Sequence, residues 1–209
     1  MMVIVNTTNV GGITTEPRGL TFDRKNLWMT DSTGINLIDR SANLIKTIVG
    51  ANIYGITTDR KYLWVITYLP DPATALIYQL DKTGNLIQTI NIIAIDFIPR
   101  GITTDGKYLW FTGQANNRVY QIDKFGNLIS FFATVNTPRG ITTDGKYLWV
   151  VEFDFLVSSS IRQYDKAGNL IQTINISAVD VLPFGITTDR KYLWWIGDAN
   201  DNLYQMTKN

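Results

Sequence analysis

The stretch GITTDRKYLW, Gly55 to Trp64, returns through the chain in near copies. These begin at Gly19 (GLTFDRKNLW), at Gly101 and Gly140 (both GITTDGKYLW) and at Gly185 (GITTDRKYLW). Their spacing averages roughly 41 residues, so five units tile the 209-residue chain from end to end. A period of about 40–45 residues with strand-rich content is the mark of a propeller blade. A second shared segment follows the first in four of the units: INLIDRSANLIKTI from Ile35, IYQLDKTGNLIQTI from Ile77, VYQIDKFGNLISFF from Val119 and IRQYDKAGNLIQTI from Ile161.

Together the two segments give four short β-rich runs per unit, which in the second unit are Gly55–Thr58, Tyr62–Thr67, Leu76–Leu80 and Leu86–Asn91. Ile, Val, Thr, Tyr and Trp fill the runs, while Asp, Lys, Gly and Asn fill the breaks, which is strand-and-hairpin chemistry. Gly84, Gly126 and Gly168, each followed by Asn, supply the positive φ of a tight hairpin. Helix signals are absent. The expected fold is all-β: one five-bladed propeller of four-stranded antiparallel blades occupying residues 1–209. The fifth unit stops at LYQMTKN, before its fourth strand, and Val3–Thr7 (VIVNT) is placed to supply it. Residues 1–8 are thus expected to complete the fifth blade and close the ring, removing two open sheet edges.

Composition narrows function by exclusion. There is no cysteine, so disulfides and thiolate metal sites are unavailable and the compartment stays open. There is no histidine, which removes the usual general base at neutral pH and the commonest metal ligand. Net charge is +1, giving no case for nucleic acid or membrane as partner. No apolar run approaches the length of a membrane span, and Met1 to Val10 has neither the basic start nor the apolar core of a signal peptide. No cofactor is expected, and the chain reads as a monomer.

The pattern PRGITTDGKYLW followed by IYQLDKxGNL resembles the NHL-type repeat and its relatives in streptogramin-lyase-like and gluconolactonase-like propellers. The resemblance covers the whole chain but rests on blade-building residues. Most such relatives have six or seven blades, and five-bladed rings are better known among sugar-binding lectins and some glycosidases. The lyases and lactonases of this kind rely on histidines, or on a carboxylate and asparagine metal cage, and no histidine is present here.

Comparing the five units with one another separates two faces. The turns between strands one and two, and three and four, are nearly identical and share the bottom. The loops between strands two and three, and the links between blades, share the top and vary: DSTG from Asp31, TYLPDPAT from Thr67, GQANN from Gly113, EFDFLVSSS from Glu152 and GDANDN from Gly197. Variable loops on a rigid scaffold are where binding residues sit. The repeated bottom Asp residues read as turn formers and the Lys and Arg beside them as solubilising. The tryptophans at 28, 64, 110, 149 and 194 read as blade-to-blade core.

Five positions just before the strand-one glycine point toward the top mouth of the channel: Arg18, Tyr54, Arg100, Arg139 and Phe184. Three guanidiniums and two rings around one opening suit a carboxylate, phosphate or sulfate carried on a sugar or planar ring. The same arginines equally suit tying down neighbouring blades. The only glutamates, Glu16 and Glu152, fall in top loops, with Asp31 and Asp198 near the same register. If they converge they offer an acid–base pair, a cation site, or partners for the arginines. The expected function is a non-enzymatic module holding a glycan, a small anionic ligand or a protein partner at the top face, with no catalytic residue. The alternative is a carbohydrate- or lactone-acting enzyme, of lyase or glycosidase type, using Glu152, Glu16 and the arginines. In the long loops, Tyr68, Leu69, Pro70, Phe153, Phe155, Leu156 and Val157 either form an exposed patch or fold over the mouth.

Overall fold

A computed structural model describes residues 3–14, 16–71, 73–154, 158–197 and 199–208. The first strand, β1 (Ile4–Asn9), leads into a first blade of β2 (Leu20–Phe22), β3 (Leu27–Thr30), β4 (Gly34–Ile38) and β5 (Leu44–Val49). The second blade is β6 (Ile53–Thr58), β7 (Leu63–Pro70), β8 (Ala73–Leu80) and β9 (Leu86–Asn91), and the third is β10 (Pro99–Thr104), β11 (Leu109–Gly113), β12 (Arg118–Ile122) and β13 (Leu128–Ala133). The fourth comprises β14 (Thr137–Thr143), β15 (Leu148–Asp154), β16 (Ser158–Tyr164) and β17 (Leu170–Asn175), and the chain ends with β18 (Pro183–Thr188), β19 (Tyr192–Gly197) and β20 (Asn202–Thr207).

These twenty strands form five antiparallel four-stranded sheets, the fifth ordered β1-β20-β19-β18. The N-terminal strand therefore completes the last blade, pairing Thr7 with Tyr204 and Asn9 with Asn202. The all-β, five-bladed expectation holds. No helix among the described residues is long and apolar enough to cross a membrane.

The repeated tryptophans build the joints between blades. Trp28 packs with Ile56, Leu63 and Val65 of the second blade, Trp64 with Leu109 and Phe111 of the third, and Trp110 with Leu148 and Val150 of the fourth. Trp149 packs against Leu193 and Trp195 of the fifth, and Trp194 returns to Leu27 and Met29 of the first. All five are at most 2 % exposed. Burying so large a side chain contributes about 1.5–3 kcal/mol or more, so five such joints dominate ring stability.

The five innermost strands meet at the axis in a closed waist, lined by Gly19, Gly55, Gly101, Gly140, Gly185 and the residues that follow them, with only about 10 Å³ of free volume. A methyl group on Gly101 would lie 2.9 Å from the Gly140 Cα, and one on Gly19 would lie 2.8 Å from the Gly55 Cα. Glycine is required there because a ring of five brings backbone against backbone. The waist separates a top cup from a bottom vestibule.

The bottom turns have the expected positive φ at Gly84, Gly126 and Gly168 (102°, 95° and 92°), and Ala42 adopts 61° in the first blade. The top loops differ from expectation. TYLPDPAT and EFDFLVSSS are largely strand: β7 and β8 stay paired to Pro70↔Ala73, and β15 and β16 to Asp154↔Ser158. Tyr68 and Phe153 are strong strand formers, and extending the ladder satisfies backbone groups that a loop would leave to water.

Candidate functional site

The residue before each strand-one glycine leaves the waist and turns upward, so five equivalent positions from five blades converge. Arg18, Tyr54, Arg100, Arg139 and Phe184, with Glu16 and Pro17, line one cup of about 270 Å³ above the waist. All five side chains are half-buried.

The cations stack on the rings. The Tyr54 ring lies between two guanidiniums, with Arg18 Cζ 4.5 Å and Arg100 Cζ 4.3 Å from its centroid. Arg139 is held between Phe153 and Phe184, 3.9 Å from each centroid. Guanidinium–ring stacking in a partly desolvated setting contributes roughly 0.5–2 kcal/mol per contact and fixes the plane of the fork. Arg100 is oriented further by a 2.8 Å hydrogen bond from its Nε to Gln114 Oε1, leaving its terminal nitrogens for other partners. Arg18 Nη2 reaches Glu16 at 3.1 Å, while Arg18 Nη1 is buried without a hydrogen-bond partner. Of the long-loop residues, Tyr68 and Phe153 fold over this mouth: Tyr68 lies 6.1 Å from Tyr54, ring to ring, and Phe153 is 3 % exposed. Leu69 and Pro70 are exposed, and residues 155–157 lie outside the described residues.

The carboxylates do not gather at the cup. Glu152 points into its own blade and is fully buried. Its Oε2 accepts from Arg162 Nη1 and, at 2.7 Å, from Asn136 N, and its Oε1 accepts from the Tyr164 hydroxyl at 2.5 Å. Burial pushes the Glu152 carboxyl up from its ordinary range, against the pull of Tyr164, Asn136 and Arg162. Burial, with the carboxylate beside it, also raises the Tyr164 hydroxyl.

Asp31 occupies the same blade position in the first blade and behaves the same way. Its Oδ1 accepts from Thr33 N at 2.7 Å and Gly34 N at 2.8 Å, and its Oδ2 accepts from Asn36 Nδ2 at 2.8 Å. Asn36 and Arg162 are register-equivalent, opposite Met29 and Val150. An acid at the end of strand two thus pairs with strand three of its own sheet rather than with the axis. Glu16 alone stays at the rim, with its side chain 56 % exposed and paired to Arg18. Asp198 lies outside the described residues. Among the described residues no group of three or more acidic side chains could hold a metal ion. The net charge of the cup comes from three arginines against one rim glutamate.

The inter-blade links carry a buried aspartate. Asp96 is 1 % exposed, accepts from Ile98 N at 2.8 Å and meets the Tyr120 hydroxyl at 3.2 Å, tying the second-to-third link to strand three of the next blade. Asp180 repeats the local turn, accepting from Leu182 N at 2.7 Å. Burial raises its carboxyl.

No family model and no curated protein sequence matches the chain. Solved structures do. Glutaminyl cyclase from Myxococcus xanthus superposes with a TM-score of 0.79 at 14 % identity, over 98 % of this chain and 95 % of that one. A catalytically inactive virginiamycin B lyase from Staphylococcus aureus, solved with quinupristin, gives 0.60 at 16 % identity over 100 % of both chains. A calcium-binding regucalcin from Agrobacterium tumefaciens gives 0.62 at 14 % identity, over 93 % and 90 %. At such identities the likeness concerns the propeller fold, which hosts both enzymes and binding proteins.

Proposed function

We propose that this protein is a binding module whose top cup holds a small anionic ligand with a ring-shaped body, such as a uronic acid or an aromatic carboxylate. One observation carries this reading: within otherwise near-identical units, the five residues that reach the cup are three arginines and two aromatics, stacked on one another. The terminal nitrogens of Arg100 grip the anionic group, and the ring lies against Phe184. Guanidinium forks match carboxylate and phosphate oxygens in pairs, which gives orientation as well as affinity. A cup of about 270 Å³ suits one sugar or one aromatic acid, near the lower end of small-molecule sites at ~300 Å³.

The enzyme reading has less support. Glu152 has both oxygens engaged inside its blade, and Glu16 sits at the rim paired to Arg18. A general acid and base facing each other across a substrate are therefore lacking among these two glutamates.

The test is thermal melting against a panel of uronic acids, aromatic carboxylates, phosphates and sulfates. A ligand at 100 times its Kd adds about 2.7 kcal/mol of stability. Arg100→Ala is expected to abolish that gain. A panel that moves nothing, or a gain that survives in Arg100→Ala, overturns the reading and turns attention to the top loops as a protein-docking surface.

A further inference from the structure

The opposite end of the axis holds a different arrangement, and it stands independently of the reading of the top cup. The first bottom turn of each blade begins with an aspartate, and all five aspartates face the vestibule below the waist. Their charge is already matched. Asp23, Asp59 and Asp105 accept from the lysine of the following blade (Lys82, Lys124 and Lys166, at 3.3, 3.0 and 2.8 Å), and Asp189 accepts from Arg40 at 3.2 Å. Asp144 takes the Trp149 indole N–H at 3.0 Å and feels the Lys208 charge. The floor of the vestibule is therefore close to neutral.

The residue after each aspartate is where the blades diverge. It is Arg24, Arg60 and Arg190 in the first, second and fifth blades, which are neighbours in the ring, and Gly106 and Gly145 in the other two. All five have positive φ: 85°, 82° and 77° for the arginines, 94° and 98° for the glycines. Arginine is a strained choice at such a position, and the same turn in the same chain is made with glycine twice. A strained side chain kept where glycine fits points to a use for the side chain.

The three arginines line one cavity of about 420 Å³, and Arg60 and Arg190 also line an adjoining one of about 490 Å³ that reaches Gly106 and Gly145. They are exposed. Among the described residues, none of the three guanidiniums takes part in an ion pair or side-chain hydrogen bond. Three unspent charges on one wall face open space left by two glycines on the other.

We infer that this vestibule is a second anion site, for a compact oligophosphate of two or three phosphoryl groups, free or as the tail of a nucleotide. Three guanidinium forks match a species carrying about three or more negative charges on closely spaced oxygens. A singly charged carboxylate leaves most of that wall unused. Phe22 is the one aromatic ring lining either cavity, so the phosphates rather than a base or sugar carry recognition.

The experiment is melting of the full chain with inorganic triphosphate and with ATP, both metal-free, against sulfate at matched ionic strength. Triphosphate is expected to raise the midpoint by several degrees at millimolar concentration and sulfate to leave it unchanged. An equal shift with ATP assigns the nucleotide tail as a source, and a shift with triphosphate alone assigns the free anion. Arg60→Gly and Arg190→Gly install the residue the third and fourth blades already use, so the variants fold. They are expected to melt higher than wild type without ligand, yet to bind triphosphate at least ten-fold more weakly. The inference is overturned if triphosphate does no more than sulfate, or if Arg60→Gly binds it as wild type does.

Discussion

The Lys124 ammonium of the third blade lies 3.0 Å from the Asp59 carboxylate of the second, and the same Asp59 oxygen accepts the Trp64 indole N–H at 3.2 Å. The other oxygen accepts from Lys61 N at 3.2 Å and Tyr62 N at 2.9 Å. One aspartate thus closes its own turn, fixes the tryptophan that packs into the next blade, and takes that blade's lysine. Asp23 with Trp28 and Lys82, and Asp105 with Trp110 and Lys166, repeat the arrangement. The fifth blade departs from it: Arg40 replaces the lysine toward Asp189, and the Trp194 indole nitrogen is without a hydrogen-bond partner.

Removing the two ends of this contact has unequal consequences. Lys124 is 30 % exposed, and its loss in Lys124→Met removes one partly screened ion pair, costing at most about 1 kcal/mol. Asp59→Ala strands the Trp64 indole and two turn amides as well, costing about 2–3 kcal/mol. Urea unfolding of the two variants measures both. Equal costs would show the aspartate to be an ordinary surface charge.

These aspartates also set the acid limit. For Asp23, Asp59 and Asp105 burial opposes ionisation, but the turn amides, the indole and the lysine outweigh it and hold the carboxyls below the usual range. Asp39, Asp123 and Asp165 in the second bottom turns are held down by Asn43, Asn127 and Asn169. With folded pKa values depressed, the unfolded chain takes up protons first as pH falls through about 4. Their stabilisation is complete above that pH and is lost as pH drops toward the folded values. Glu152 and Asp180 run the other way: burial raises them, so their contribution is present at low pH and lost as pH rises through their folded values. The melting temperature is therefore expected to climb steeply from pH 2 to about 5 and to decline gently above. A flat profile from pH 2 to 5 removes the linkage, and Asp59→Asn should soften the acid limb.

The blade count, the waist glycines and the closing strand were legible because each repeated residue solves the same local problem five times. The aspartate contact was not legible. Asp59 and Lys124 are 65 residues apart, and a turn aspartate has one oxygen for its turn whether or not the other serves a neighbouring blade. The converging ring of Arg18, Tyr54, Arg100, Arg139 and Phe184 followed from strand position alone. The inward turn of Glu152 has a signal in the sequence. Its blade reads IRQYD where others read IYQLD, VYQID and INLID, so Arg162 and Tyr164 depart from the repeat together with the acid they bind.

That coupling makes a prediction. Glu152→Gln leaves the Arg162 guanidinium, 11 % exposed, without its counter-charge and should cost about 3–5 kcal/mol. Replacing both partners, Glu152→Leu with Arg162→Met, removes the buried charge altogether and should cost less than the single change. A double-mutant cycle of Glu152→Leu, Arg162→Met and the two together, by denaturant unfolding, reads the coupling directly. Additive costs would mean that the pair does not act as a unit.

The last expectation concerns the closing strand. β1 is the one strand that joins the chain's beginning to its final blade, pairing with β20 from Ile4↔Met206 to Asn9↔Asn202 around a bulge. Ile4 packs beside Trp149 and Trp195, and Val3 exchanges hydrogen bonds with Thr207 at both its N–H and its carbonyl. Deleting residues 1–8 removes most of that ladder and part of the apolar cover of the fourth-to-fifth joint. A partly buried isoleucine contributes less than the about 1.5–3 kcal/mol of full burial, and each ladder bond adds about 0.5–1.5 kcal/mol. A loss of at least about 3 kcal/mol in a chain of this size lowers the midpoint by roughly 6–12 °C. The bare β20 edge then offers its unpaired backbone to other chains, so the truncated protein should also associate in a concentration-dependent way. Calorimetry together with sedimentation reads both effects. A truncated protein that melts within a degree or two of full length would show that the Trp194 joint, not the strand, holds the ring closed.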